Sequence, residues 1–271
     1  MPDKSTGVNP WWTRDGMRTE LFDFELPDEL IALRPVEPRD AARLLVVDNA
    51  SLSDRNVHQL PDLLQAGDVV VLNDTRVIPA ALKGERVRQE SRARISVNLH
   101  KRIDARRWRA FAKPARKLDV GDRVRFGHGQ TISLADALEA TVSARWDGGE
   151  VELAFDCTGT ELDAAIAKVG ALPLPPYIAS KRAPDRYDAA TYQTIFAARD
   201  GAVAAPTAAL HFTDRLFDAL TARGVAQIFL TLHVGAGTFL PVKSQQIEDH
   251  VMHPEWGEIT PAAAQTLNAA R

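Results

Sequence analysis

The rhythm of apolar and polar positions changes along the chain, and the changes mark its parts. Up to residue 82 the apolar residues come in continuous runs. In FDFELPDELIALRP (22–35), Pro27 suits the first turn of a short helix carrying Leu30, Ile31 and Leu33, and Pro35 stops it. RLLVVD (43–48), closed by Asp48, Asn49 and Ser51, has the unbroken apolar content of a buried strand. DVVVLND (68–74) reads the same way, entered through Gly67 from a helical turn begun at Pro61. From residue 83 the period drops to two. ARISVNLH sets Ile95, Val97 and Leu99 on one face against polar neighbours, and WRAFAK and DRVRFG repeat the pattern. ATVSARW and EVELAFD flank Asp147-Gly148-Gly149, a hairpin turn. Five or six short strands with little helix between them predict a small antiparallel barrel over 83–156.

Helical spacing then returns. Thr160 is placed to cap a helix through Leu162, Ile166 and Val169 to a stop at Gly170, and a second runs from Thr213 through Leu216, Phe217 and Leu220 to Gly224. AQIFLTLHV (226–234) is a further buried-strand run. The expected fold is α/β: a discontinuous mixed α/β main domain, 17–82 and 157–271, with an inserted small antiparallel β-barrel domain, 83–156. Residues 1–16 precede a second methionine, Met17, and read as a disordered tail or an over-extended start. At the other end, Thr260 and Pro261 open a helix that reaches Arg271 with no stop signal, the pattern of a chain cut from a longer protein.

Composition narrows the class. The chain has 271 residues, 45% of them hydrophobic and 25% charged, the profile of a globular protein with a real core. The single cysteine, Cys157, excludes an internal disulfide and a cysteine-based zinc cluster, and fits a reducing cytoplasm. No apolar run approaches the roughly 20 residues of a membrane-spanning helix, and the first residues lack the apolar stretch of a secretory signal. The net charge of -3 conceals an asymmetry. Residues 83–125 hold 15 Lys/Arg against 5 Asp/Glu, while the rest of the chain holds 18 against 31. Such a distribution attracts polyanions to the barrel; a merely solvated face is the plainer alternative.

Four segments could carry chemistry. Asn73, Asp74, Thr75 and Arg76 follow a strand, the place where α/β sheets bind ligands, although a turn would also use them. GAVAAPTAALHFT (201–213) is rich in small residues and leads into a helix N-terminus, which suits either an anion or a packed connection. It contains His211, a possible acid/base group. LTLHVGAGTF (230–239) places Gly235 and Gly237 after a strand, but Leu240 and Pro241 exclude a dinucleotide-binding loop. HVMHPEW (250–256) gathers His250, His253 and Glu255, which could bind a metal or handle protons; Pro254 prevents a helical metal-binding face.

In their order, FDFELPDELIALRP, RLLVVD, DVVVLNDTRVIPAALKG, KPARKLDVGD, LPLPPYI, YQTIFA, GAVAAPTAALHFT, LTLHVGAGTFLPV and HVMHPEW resemble the S-adenosylmethionine:tRNA ribosyltransferase-isomerase family of queuosine synthesis. The resemblance runs from Phe22 to Trp256. It implies an enzyme that uses S-adenosylmethionine as a ribosyl-donating cosubstrate, with no metal. Its partner would be tRNA for Asp, Asn, His or Tyr, carrying 7-aminomethyl-7-deazaguanine at the wobble position. A cytoplasmic monomer is implied as well. The resemblance makes His211, His233, His253 and Glu255 the acid/base candidates and Arg76 an anion contact. Asn73, Asp74, Thr207, Gly235, Gly237 and Thr238 become contacts to the cosubstrate or nucleobase. Lys83, Lys113, Arg116 and Lys117, in the basic insert, are the candidate tRNA phosphate contacts. The chain departs from the family pattern with Ala209 for glycine and Phe196 for tyrosine, and it lacks a later V-G-T-T-x-x-R-type block. Two other readings stay open: a truncated tRNA-binding fragment without catalysis, and a metal-dependent hydrolase built on His250, His253 and Glu255.

Overall fold

The computed structural model describes residues 16–48, 51–89, 91–127 and 137–270. All but the last residue of the tail expected over 1–16 lies outside them. After short 3-10 turns, β1 (Arg43–Asp48) and β2 (Ser51–Asn56) form an antiparallel ribbon. Helix α1 (Leu60–Leu63) opens with Pro61, and the chain turns at Gly67 (φ 97) into β3 (Val69–Asn73) and β4 (Thr75–Val77).

Six strands then close into a barrel: β5 (Ala81–Arg88), β6 (Ser91–Arg102), β7 (Arg107–Lys113), β8 (Arg123–Phe126), β9 (Leu138–Arg145) and β10 (Glu150–Phe155). Their order is β10-β7-β6-β5-β8-β9, every pairing is antiparallel, and closure leaves no free edge. The alternation read from ARISVNLH is what fills the interior: Ile95, Val97 and Leu99 point inward to Leu82, Val124, Phe126, Leu153 and Phe155, all buried. Burying each such side chain stabilises the fold by about 1.5–3 kcal/mol. Helix α2 (Gly159–Val169) lays Leu162 and Ile166 on the same cluster. Its N-cap is Thr158 rather than the expected Thr160, because Gly159 (φ 57) already turns the chain into the helix.

The chain leaves the barrel beside the point where it entered. The Ala81 N–H donates to the Ala171 carbonyl (3.0 Å), and the Ala171 N–H donates back (2.9 Å). Then follow α3 (Pro176–Ala179), α4 (Asp188–Thr191), β11 (Arg199–Ala202), α5 (Asp214–Ala222), β12 (Ala226–His233), β13 (Trp256–Glu258) and α6 (Pro261–Ala269). The Thr213 hydroxyl caps α5 by accepting from the Leu216 N–H, and Thr260 caps α6 in the same way. Residues on either side of the barrel pair with one another: β3 with β12 and β4 with β11, both parallel, with β13 antiparallel to β12. This is the expected α/β class with an inserted antiparallel barrel.

Three expectations need correction. RLLVVD is a strand but not a buried one: in a two-stranded ribbon Leu44 packs inward while Leu45 and Val47 remain 58% and 71% exposed. DVVVLND and AQIFLTLHV are only partly buried, since Val71, Phe229 and Leu232 stay exposed in a small sheet. The helix expected after Pro27 is a single 3-10 turn, Asp28–Leu30, whose Leu30 is exposed. Helix nucleation is costly, and without a packed face there is nothing to propagate it.

Candidate functional site

A cleft of about 1430 Å³ separates the barrel from the ends of the parallel strands. Its barrel wall includes His100, Trp108, Arg109, Phe111 and Glu150; its other wall includes Arg76, Gly201, His233, His253 and Glu255. The parallel pairing of β3 with β12 explains the second wall, because both strands end there.

The residues at those ends divide into those that hold the strands and those that face the cleft. Asn73 spends its side chain on backbone: its amide donates to the Leu232 carbonyl (2.8 Å), and its oxygen accepts from Leu232 and Thr75 N–H groups. Asp74 accepts from the Thr231 hydroxyl (2.7 Å). Neither lines the cleft. Next to them, the fully buried Thr75 has its hydroxyl 2.7 Å from His233 Nδ1. That contact fixes the imidazole, which stacks on Trp256 at 5.1 Å and 20°. Burial holds His233 below the usual histidine range, with Asp74 opposing, so the ring is neutral at pH 7 and able to accept a proton. β4 and β11 slip by one residue at Gly201: Asp200 faces Arg76 and Ala202 faces Val77. A Cβ at Gly201 would lie 2.5 Å from His233 Nε2, so only glycine permits this placement.

Arg76 donates to the Ala197 carbonyl (2.8 Å), stands 3.7 Å from Asp200, and keeps about half of its side chain exposed. The Gly235 N–H donates to Glu255 Oε1 (2.7 Å), and a Cβ at Gly237 would lie 2.9 Å from the His253 Cβ. The close approach that these glycines allow is therefore to the chain's own 253–255 segment, which they seat against the cleft.

Other sequence candidates lie elsewhere. Thr207 and His211 are exposed in the 3-10 turn Thr207–His211, where His211 Nδ1 is 3.1 Å from the Ala208 carbonyl. Thr238 is exposed in the turn Ala236–Phe239. None of the three lines the cleft. Lys83 and Lys113 stand in register across β5, β6 and β7, both opposite Ser96, and Arg116 and Lys117 follow in the next turn. All four are exposed on the barrel, outside the cleft, and among the described residues none forms an ion pair. By contrast Arg88, Arg92, Arg123 and Arg125 are neutralised by acidic neighbours. His250, His253 and Glu255 do not form a metal-ligand cluster among the described residues, which leaves the hydrolase reading without its centre. No helix among these residues is long and apolar enough to cross a membrane.

The sequence reading missed Thr75 as a partner of His233, and Gly201, Trp256, His100, Arg109 and Glu150 altogether. Gly201 and Trp256 sit inside blocks already singled out. His100 and Glu150 gave no signal, because only barrel closure brings their strands together.

A model of the family described as queuosine biosynthesis protein matches residues 19–271. The chain belongs to this family. Among the family's members, the S-adenosylmethionine:tRNA ribosyltransferase-isomerase of Rhodopseudomonas palustris (strain BisB5) is 62% identical over 94% of this chain and 71% of the relative. The enzyme of the same name from Rhizobium rhizogenes is 56% identical, over 94% of this chain and 72% of the relative. A solved S-adenosylmethionine tRNA ribosyltransferase from Thermotoga maritima is 27% identical, covering 92% of this chain and 65% of that chain at a TM-score of 0.36. Both departures from the queuosine-family pattern have a packing environment. Phe196 lies 5.4–5.6 Å from the rings of Phe212, Phe217 and Phe229, an apolar cluster in which a hydroxyl would need a partner. Ala209 is buried in its turn, away from the cleft.

Proposed function

We propose that this chain transfers the ribosyl group of S-adenosylmethionine to 7-aminomethyl-7-deazaguanine at the tRNA wobble position and rearranges it. The product is epoxyqueuosine in tRNA, with adenine and methionine released. The observation that carries this reading is the convergence of His233, His253, Glu255 and Arg76 on one cleft whose opposite wall is the basic barrel. At about 1430 Å³ the cleft exceeds the roughly 300–1,000 Å³ of a small-molecule site, which leaves room for a nucleotide beside the cosubstrate.

The chemistry asks for groups of these kinds. A sulfonium acidifies the adjacent C5′ protons, so a base can form an ylide; rearrangement expels adenine, the aminomethyl nitrogen attacks the sugar, and epoxide closure expels methionine. In our reading the neutral His233 is the base, and His253 with Glu255 supplies the proton that departing adenine needs. Arg76 receives the methionine carboxylate. The tRNA, an acceptor for Asp, Asn, His or Tyr, approaches over Lys83, Lys113, Arg116 and Lys117. The protein acts as a cytoplasmic monomer.

The test is adenine release when the chain is incubated with S-adenosylmethionine and precursor-bearing tRNA. Release is expected, and His233→Gln should slow it by about 10²–10⁴-fold. Tight tRNA binding with no adenine formed would sink the catalytic reading.

A further inference from the structure

On the barrel wall of the cleft stands a group of side chains that these steps do not use. β6 and β7 lose register there: Leu99 faces Ala110 and Lys101 faces Arg109, which makes His100 the extra residue of a bulge. A bulge re-aims one side chain, and bulges are frequent beside active sites. The His100 ring stacks on Phe111 at 4.5 Å and 19°, and its Nε2 stands 3.1 Å from Glu150 Oε1. Arg109 reaches the same oxygen at 3.6 Å, with its guanidinium 4.2 Å over Trp146. His100 Nε2 is in ion-pair range of the carboxylate but does not form a hydrogen bond of good geometry with it. Burial lowers the affinity of His100 for a proton and Glu150 raises it; Arg109 and, from the facing wall, His253 lower it further.

We propose that Glu150 and His100 seat the primary ammonium group of the incoming nucleobase and take its proton before it attacks the sugar. This rests on the function proposed above. An alkylammonium group is protonated at neutral pH and has no lone pair with which to attack. It needs a carboxylate to hold it and a base to deprotonate it. Glu150 supplies the first as a charge-assisted acceptor. His100 supplies the second: the proton moves to the imidazole, the electron pair of the broken N–H bond stays on nitrogen, and Glu150 stabilises the imidazolium formed beside it. Of the other carboxylates lining the cleft, Asp163 is paired with Arg102, Asp200 with Arg76 and Glu255 with the Gly235 N–H, while Asp147 and Asp249 also face it. Among the described acidic residues lining the cleft, Glu150 is the one with an imidazole in ion-pair range. It also lies on the barrel, the side that draws a polyanion.

The experiment measures binding of the full chain to two anticodon stem-loop RNAs, one bearing the aminomethyl base and one bearing 7-deazaguanine without it. Wild type should prefer the first. Glu150→Gln should weaken that complex by about tenfold and leave the amine-free one unchanged, as expected for loss of a hydrogen bond to a charged group. His100→Gln should move the rise of kcat with pH to higher pH, because the ammonium must then lose its proton to solvent. In wild type, the His100 ring resonances should shift on binding the amine-bearing RNA and not the other, a readout that needs no variant to fold. Equal weakening of both RNAs, an unmoved pH limb or silent His100 resonances would overturn the seat. Discrimination between the RNAs without adenine release fails the catalytic reading and spares the seat; adenine release without discrimination does the reverse.

Discussion

Inside the barrel, Leu82, Leu99, Phe126, Leu153 and Phe155 are at most 1% exposed, whereas Val71, Phe229 and Leu232, on the strands leading to the cleft, are 36–44% exposed. The second core is correspondingly small: Val57, Leu216, Leu220 and Val225, with partly buried neighbours. Charge divides differently. On the barrel many arginines are spent on acidic neighbours while Lys83, Lys113, Arg116 and Lys117 are left to solvent. The contrast shows a molecule whose stability and whose candidate chemistry sit mainly on opposite sides of one cleft. Segments that bind or react are drawn from the less stable part of a fold, and here that part is the α/β side.

The largest expected effect breaks the comparison at its strong side. Phe155→Ala should cost about 3–5 kcal/mol in denaturant unfolding, against about 1 kcal/mol or less for Val71→Ala. Equal losses would mean that the barrel does not dominate stability. Smaller in energy but larger in function, Gly201→Ala forces His233 off its place, and a misplacement on the order of 1 Å costs about 10²-fold in rate. Adenine release should fall by that factor while barrel unfolding stays as in wild type; unchanged release would remove His233 from the chemistry. The mildest change is Lys83→Gln with Lys113→Gln. It should flatten the salt dependence of tRNA binding by roughly one unit of log–log slope per lysine. A slope equal to that of wild type would place the RNA elsewhere.

How much of this could be read from sequence follows from the same contrast. A closed barrel has a dry inside and a wet outside, so its strands must alternate; Ile95, Val97 and Leu99 announce that directly. Asp147-Gly148-Gly149 announces its hairpin because Gly148 and Gly149 take positive φ (78 and 88). RLLVVD announces a strand but not its surroundings, since an apolar run does not say how many neighbours the strand will have. At the cleft, Arg76, His233, Gly235, Gly237, His253 and Glu255 could be picked out because they follow strands or cluster with other polar residues. Asn73 and Asp74 were indistinguishable from them, although their side chains are occupied by Leu232 and Thr231. His100 and Gly201 owe their placement to a slip between paired strands, and a slip exists only once the partners are known.

The hydrogen-bonded neck between Ala81 and Ala171 has a consequence for assembly. As the chain emerges from a ribosome, β3 and β4 appear early, while their partners β12 and β11 are still to be made. The six barrel strands follow in sequence: four of their pairings join consecutive strands, and β5 with β8 and β7 with β10 then close the barrel over longer loops. Closing the barrel brings Ala81 beside Ala171 and acts as a buckle: the inserted loop, however long, is entropically short by the time the outer strands meet. Joining two distant parts of the chain, the task that would slow a discontinuous fold, is done in advance by the inserted barrel.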